Sequence, residues 1–384
     1  MLFQKTFIKE RGLSIAFPMI FLLYVLLGLS GYGNDCDTYL MLKTGRNLLL
    51  TGFYVPSRTP GYLIPEIIIG GSSLLGGFYL SNVISALLGA GTLYLFWRLL
   101  RGIFTRSDAI LITLSVGLNP YFVIASSSSM DYVYSLFFGI AGITLLRTRK
   151  FFIAALAFSL AISARLSNSL IVGVVYAWFL HLRIRDEDAN GFVRLILSGG
   201  LAIVISMLLF VPSFVACNRT LGFLTYAIGN WTFLGHLSRF LYKNIFLFGL
   251  FPFVVLMSSI VWKIIVTRSQ LSLSGTGLMA LAIVLLHEVL FFKVPLEISY
   301  LLPLIFVIVP FWVFVFHPRK VALLALLGLT IVYSFFINID VLNIKYNASG
   351  TEAIAAKIGL FIRPGVVVND VSRRLSASGS CKLN

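Results

Sequence analysis

The chain has 384 residues, of which 59% are hydrophobic and only 11% charged, and its mean hydropathy is +0.96. Apolar runs of spanning length recur from end to end, which excludes a soluble enzyme and a barrel of short alternating strands and points to a polytopic helical membrane protein. A formal net charge of +16 would suggest a nucleic-acid partner in a soluble protein, but here the basic residues gather at the ends of apolar runs, so they read as topology signals and no nucleic acid is expected.

Lys5, Lys9 and Arg11 precede the first apolar run, Leu13 to Gly31. Without a small-residue cleavage site this reads as a retained signal-anchor that starts in the cytoplasm and ends outside. The polar stretch from Asn34 to Glu66 follows. In it Asp37 reads as the N-cap of a helix from Thr38 to about Thr51, closed by Gly52, whose backbone tolerates a left-handed conformation. Met41, Leu42, Gly45, Leu48 and Leu49 fall on one face of that helix and Lys43, Thr44, Arg46 and Asn47 on the other, as in a helix lying in the membrane interface. Pro56, Pro60, Gly61 and Pro65 stiffen the return path. Tyr62 to Gly77 carries Pro65, Glu66 and several glycines and is expected to be a second interfacial or re-entrant piece, so that the first external loop covers residues 32–79.

Later spans are expected at Leu80 to Trp97, Ala109 to Ser127, Tyr132 to Leu146, Phe151 to Ala164, Leu166 to Leu182, Leu195 to Phe214, Asn244 to Trp262, Leu278 to Phe292, Tyr300 to Phe316 and Val321 to Ile337. This makes about 11 in all. The parity leaves Arg98 and Arg101, Arg147 to Lys150, Arg183 and Arg185, Lys263 and Arg268, and Arg319 and Lys320 in the cytoplasm, as the positive-inside rule requires. The expected fold class is therefore all-α and polytopic: a membrane domain over residues 1–337 and a short external tail over 338–384, too small for its own core. Cys36, Cys217 and Cys381 lack metal-ligand spacing, and their odd number leaves any disulfide unassigned. Asn218, Asn230 and Asn347 match the glycosylation acceptor pattern, which matters only in a eukaryotic host.

An ionisable group at membrane depth costs on the order of several kcal/mol unless it is paired or wet, so each one needs an explanation. The topology gathers Asp35, Asp37, Glu66, Asp131, Arg165, His287, Glu288, Lys293 and Glu297 near the outer ends of spans, with Lys43, Arg46 and Arg58 on the first loop. A cavity with acidic and basic walls suits a phosphate-bearing lipid and a nucleophile that must lose a proton. Asp37 reads either as a helix cap alone or as a catalytic or metal-binding carboxylate, and Asp131 either caps the next helix or acts in the site. Arg165 stands between two apolar runs and needs a partner, for which a phosphate is one candidate. His287 and Glu288 either satisfy one another between helices or serve the site.

The order Asn-Asp-x-Asp-x-Tyr, amphipathic helix, Gly, then Ser-Arg-Thr-Pro-Gly-Tyr over residues 34–62 resembles the first external loop of the GT-C superfamily of membrane glycosyltransferases. That superfamily includes protein mannosyltransferases, aminoarabinose transferases and oligosaccharyltransferase catalytic subunits. The run from Asn119-Pro120 to Ser129-Met130-Asp131 is similar to its second acidic site. Lys293 to Pro303, with Glu297 and Tyr300, resembles its late motif of Glu followed by Arg-Tyr-Leu-Leu-Pro, except that Ser299 stands where the family commonly has arginine. Arg165 or Lys293 is then the candidate for the missing charge.

The resemblance covers about Leu13 to Val315. It implies a GT-C-like fold and a polyprenyl-phosphate or dolichyl-phosphate sugar donor, with hexosyl or pentosyl transfer by inversion to a glycan, lipid or protein acceptor. It further implies Asp37 as the base, Asp35 and Asp131 as further catalytic carboxylates, and Arg58, Arg165, Lys293, Glu297 and Tyr300 as substrate-binding residues. Some relatives use a divalent metal and others do not, so Mg or Mn at Asp35 and Asp37 stays open. The implied setting is the bacterial inner membrane, or the endoplasmic reticulum membrane in a eukaryote, with the site on the extracytoplasmic side. The alternative is a transporter or flippase of lipid-linked saccharides, which would show internal repeats and charges on broken helices at the membrane midplane.

Overall fold

The computed structural model of the chain describes residues 13–217, 233–262, 265, 275–293, 295, 297–346 and 353–376. The glycosylation patterns at Asn218, Asn230 and Asn347, like Cys381, lie outside the described residues.

Helix α1 (Leu13–Gly28) leads through a glycine-rich turn into α2 (Cys36–Thr51). The start of α2 differs from the expected one. Asp35, with extended backbone, is the N-cap: its carboxylate accepts the Asp37 backbone N–H at 3.0 Å, which leaves Asp37 in the first turn of the helix. A carboxylate is also favourable there, because it faces the positive end of the helix dipole. The C-terminus is as expected, with Gly52 at φ 75° closing the last turn onto the Leu48 carbonyl.

Helix α3 (Leu63–Leu100) consists of two helical pieces joined at a kink, where Gly76 (φ −148°) and Gly77 (φ 61°) leave the helical conformation. The kink falls at the end of the segment expected as a separate piece, Tyr62 to Gly77, and helix resumes directly after it. Helices α2 and α3 cross at Gly45 and Gly70, where a Cβ on either glycine would collide with the backbone of the other helix. This crossing seats the first loop directly on the bundle.

Next come α4 (Arg106–Gly117) and α5 (Pro120–Ser126), bent by 70° relative to one another, where a single span was expected. The break follows from the sequence: Asn119 caps α5 by accepting the Tyr121 N–H at 3.1 Å, and Pro120 opens the helix without a donor to lose. Helices α6 (Tyr132–Arg147), α7 (Phe151–Ala164), α8 (Asn168–Arg185) and α9 (Ala189–Ala216) pack around Phe158, Tyr176 and Leu195. Helices α10 (Phe233–Phe248) and α11 (Leu250–Val261) meet at 95°, again where one span was expected, with Gly249 at φ 86° beneath the Tyr333 ring. After α12 (Gly275–Lys293), a 3-10 turn (Ile298–Leu301) leads into α13 (Leu302–Phe316) and then α14 (Lys320–Phe335).

Among the described residues, four helices are long and apolar enough to cross a membrane, or six if each bent pair is one span; α1, α6, α7 and α14 are apolar but shorter. The expected count of about eleven is thus not reached by length and apolarity, because four of the apolar helices are shorter than a full span and two further runs are bent at Asn119-Pro120 and at Gly249. The fold is not purely helical either. Strands β1 (Ile337–Tyr346) and β2 (Ala353–Pro364) form an antiparallel hairpin with Ile337 opposite Pro364 and a register shift after Asp340. Helix α15 (Val366–Leu375) follows and docks through buried Val367. The tail is ordered onto the core rather than being a loose appendage, which the expectation of an all-α protein did not include.

Candidate active site

Glu66, in the first turn of α3, is fully buried and organises the loop before it. Its carboxylate accepts the Tyr54 hydroxyl at 2.6 Å and the Ser57 backbone N–H at 3.0 Å, together with the Ser57 hydroxyl. From the other side, Thr44 on α2 donates to the Val55 carbonyl at 2.8 Å, and Ser213 on α9 donates to the Pro60 carbonyl. Gly61, at φ 89°, turns the chain back where a side chain would meet Ser213. The loop is therefore held at several points, and what it presents is Arg58.

Arg58 bridges two carboxylates from distant parts of the sequence. Its Nη1 donates to Asp37 and its Nη2 to Asp131 Oδ2 at 2.9 Å. Asp131 is fully buried and also accepts Arg165 Nη1 at 3.1 and 3.2 Å. Arg165 occupies the extended break between α7 and α8, so the partner it needs at that depth is Asp131. Aromatic faces complete the chain: Arg58 lies 4.8 Å from the Tyr62 ring centroid, and Arg165 lies 3.9 Å from that of Tyr132 and 5.0 Å from that of Tyr300. Cations over aromatic faces in a dry site are held more strongly than at an exposed surface.

Tyr132 extends the network by donating to Glu297 Oε2 at 2.8 Å, and the Ser299 hydroxyl lies 2.8 Å from Tyr132 Oη and 3.1 Å from Glu297. Asp35, Tyr132, Glu297 and Ser299 line a cavity of about 530 Å³, together with Lys243 and, from the tail, Asp370. Burial pushes the Asp35 carboxyl up to about 7; the Glu297 charge adds to the shift and Arg58 opposes it. One oxygen each from Asp35, Asp37 and Glu297 lie within 4.8 Å of one another, an all-oxygen set of the kind that hard divalent cations prefer.

A second cavity, of about 430 Å³, begins one helical turn beyond Asp131, Arg165 and Tyr300, at Ser135, Asn168 and Pro303. It runs between α3, α6, α8, α12 and α13 toward Phe104, Arg147 and Phe314, and its walls are almost wholly apolar, with Leu136, Ile140, Val172, Ile283 and Phe306 among them.

Of the residues singled out from the sequence, Asp35, Asp37, Arg58, Asp131, Arg165, Glu297 and Tyr300 come together here. Lys293 does not: it is exposed at the end of α12 and makes no ion pair among the described residues. Arg165, not Lys293, brings a guanidinium beside Tyr300, five helices away in sequence from the motif that lacks its arginine. His287 and Glu288 do not satisfy one another. His287 Nε2 lies 2.8 Å from the Tyr300 carbonyl, which fixes the 3-10 turn, and Glu288 accepts from Asn244 at 3.1 Å. Arg46 is tied to Ser73 at 2.7 Å and to the Tyr32 hydroxyl at 3.0 Å, a brace between α2 and α3. Tyr62, Tyr132, Lys243 and Asp370 were not anticipated as site residues, and Ser299 was noted only for standing where the family commonly has arginine. The position of Tyr132 directly after Asp131 was the available signal; for Asp370 there was none.

No protein-family profile and no curated protein sequence matches the chain. Two solved structures of ArnT from Cupriavidus metallidurans are similar to it. The one bound to undecaprenyl phosphate gives a TM-score of 0.53 at 15% identity, covering 84% of this chain and 60% of that one. The apo state gives 0.51 at 16% identity, with 83% and 59% covered. The chain shares the ArnT fold. The likeness is one of fold, in line with the membrane fold that the resemblance implied, and the chain spans only about 60% of the ArnT length.

Proposed function

We propose that the chain is a membrane glycosyltransferase that moves a sugar from a polyprenyl-phosphate-linked donor to a hydroxyl-bearing acceptor at the extracytoplasmic face. The observation that carries this reading is the chain Asp37, Arg58, Asp131, Arg165 standing directly above an apolar cavity. A polyprenyl-phosphate sugar has the same division, an anionic polar head on a long hydrocarbon. The ArnT fold supports the reading, since one of the ArnT structures holds undecaprenyl phosphate.

In the reaction, the acceptor oxygen attacks the anomeric carbon as the bond from that carbon to the phosphate oxygen breaks, inverting the centre. The acceptor proton passes to Asp37, and the lipid phosphate leaves as the anion. Arg58 and Arg165 supply positive charge to the departing phosphate, and Asp131 holds both guanidinium groups in place. Asp35, Asp37 and Glu297 are the residues that would hold a divalent cation such as Mg or Mn, which would add positive charge at the same phosphate.

One observation supports the extracytoplasmic placement. Helices α6 and α8 start at the site and end at Arg147 and at Arg183 and Arg185, while α3 and α13 end near Arg101 and Arg319, so the basic clusters lie at the end of the bundle away from Asp131. The bacterial inner membrane fits it.

The test is to incubate the purified protein with labelled undecaprenyl-phosphate sugars and to measure released lipid phosphate. Release that depends on Asp37 supports transfer; movement of intact donor between leaflets without release would identify a flippase instead.

A further inference from the structure

The short C-terminal helix carries two charged residues that a loosely attached tail has no use for. Arg374 is buried, its side chain 1% exposed. Its Nη1 donates to the Ser127 carbonyl at 2.7 Å, and its Nη2 meets Asp370 Oδ2 at 2.5 Å. Asp370 in turn lines the polar cavity that also contains Asp35 and Glu297. Helix α15 is held at its other end by the Gly365 N–H, which donates to the Phe336 carbonyl at 3.0 Å, and by buried Val367.

Ser127 belongs to the serine turn between α5 and Asp131. On its inner side the turn is fixed by Ser129, whose hydroxyl donates toward Ser81 Oγ at 2.6 Å and Asn82 Oδ1 at 2.8 Å and whose N–H donates to the Tyr32 carbonyl at 2.7 Å. Arg374 supplies the bond on the tail side. Without it the Ser127 carbonyl loses a charged donor, and the turn that delivers Asp131 to Arg58 and Arg165 is held from one side only.

We propose that Arg374 is a positioning residue for the reaction: it acts through the Ser127 turn to set Asp131 between its two arginines, which makes helix α15 a working wall of the site. This rests on the glycosyltransferase reading, because Asp131 matters through the arginines that meet the donor phosphate. A displacement of about 1 Å at a reacting group can cost on the order of 10²-fold in rate, so a bond one turn away from Asp131 is enough to matter.

The experiment measures lipid-phosphate release from undecaprenyl-phosphate sugar by the full chain and by Arg374→Ala, Arg374→Lys and, as a control on an exposed neighbour, Arg373→Ala. Arg374→Ala is expected to lower kcat/KM for the donor roughly 10-fold or more. Arg374→Lys is expected to recover most of it, since one ammonium can still reach the carbonyl, and Arg373→Ala to match the parent. In an Asp131→Asn background Arg374→Ala should add nothing, because residues acting through one another are not additive. Full additivity in that background, or a wild-type kcat/KM for Arg374→Ala, overturns the proposal. Hydrogen exchange over residues 126–131 is read in parallel and should speed up in Arg374→Ala but not in Arg373→Ala. If the parent chain releases no lipid phosphate, the glycosyltransferase reading fails by itself, and unchanged exchange in Arg374→Ala would separately remove the arginine's hold on the turn.

Discussion

The cavity beside Asp35 and Glu297 and the one beneath Ser135 and Asn168 both take residues from helix α6, Tyr132 in the first and Ser135 in the second, yet they are lined differently. The outer one takes its walls from loops and helix ends, where backbone and side-chain polar groups are abundant: the turn before α2, the serine turn, the 3-10 segment and the tail helix. The inner one is bounded by mid-helix positions, whose backbone groups are already satisfied, so only side-chain volume shapes it. Arg58 and Arg165, both paired with Asp131, mark the level at which one gives way to the other. The difference teaches that the polar chemistry need not pass into the apolar chamber. A ligand with a charged head and a hydrocarbon tail would meet each environment with the matching part.

The comparison breaks most sharply at Asp37. Asp37→Asn should lower kcat by about 10²–10⁴-fold, the range of a lost general base, and lower the melting midpoint in detergent only slightly, because Asp35 still caps α2 and Asp131 still pairs with Arg58. Near-normal release of lipid phosphate by the Asp37→Asn variant would remove the catalytic assignment from Asp37.

At the boundary between the two, Asp131→Ala leaves Arg58 and Arg165 without their shared partner in a dry site. Breaking a buried pair in this way costs about 3–5 kcal/mol, which should appear as a clear fall in the denaturation midpoint. An unchanged midpoint would mean that water reaches both arginines. The milder Arg165→Lys keeps the charge but loses the planar guanidinium over the Tyr132 and Tyr300 rings, and donor KM should rise less than in Arg165→Ala.

The inner cavity is sharpened by filling it. Gly139 lines it, and a Cβ there would meet nothing within 4 Å. Gly139→Phe should therefore fold and should raise KM for a long-chain donor roughly 10-fold, with little effect on a donor analogue of only two isoprene units; each buried methylene is worth about 0.8 kcal/mol. Equal effects on both donors would remove the cavity from the donor-binding account. The smallest effect is expected at Lys293. It is exposed and outside both cavities, so Lys293→Ala should leave kcat and KM within about twofold of the parent, the range of surface changes of a few tenths of a kcal/mol.

Much of this molecule could be read from its residues in order. Local chemistry set the polytopic helical class, the cap at Gly52, the break at Arg165 and the gathering of acids and bases at one end of the bundle, because hydropathy, capping and charge at helix ends depend on near neighbours. Two aspartates two residues apart, both plausible caps, could be told apart only by backbone geometry, which gave the role to Asp35. The breaks at Asn119-Pro120 and Gly249 were written in the chain, but mean apolarity over a long window hides a single breaking residue.

Other features depended on groups far apart in sequence. Arg58 meets Asp131, Arg165 stands by Tyr300, Glu66 holds the loop of Arg58, and Arg374 reaches Ser127; each pairing is settled by which helices cross, and Gly45 against Gly70 fixes one such crossing. The hairpin and α15 had too little apolar length to announce themselves, and they are ordered by the bundle end they pack on. Pattern along a chain reports what a residue needs, whereas tertiary structure alone decides which distant residue supplies it.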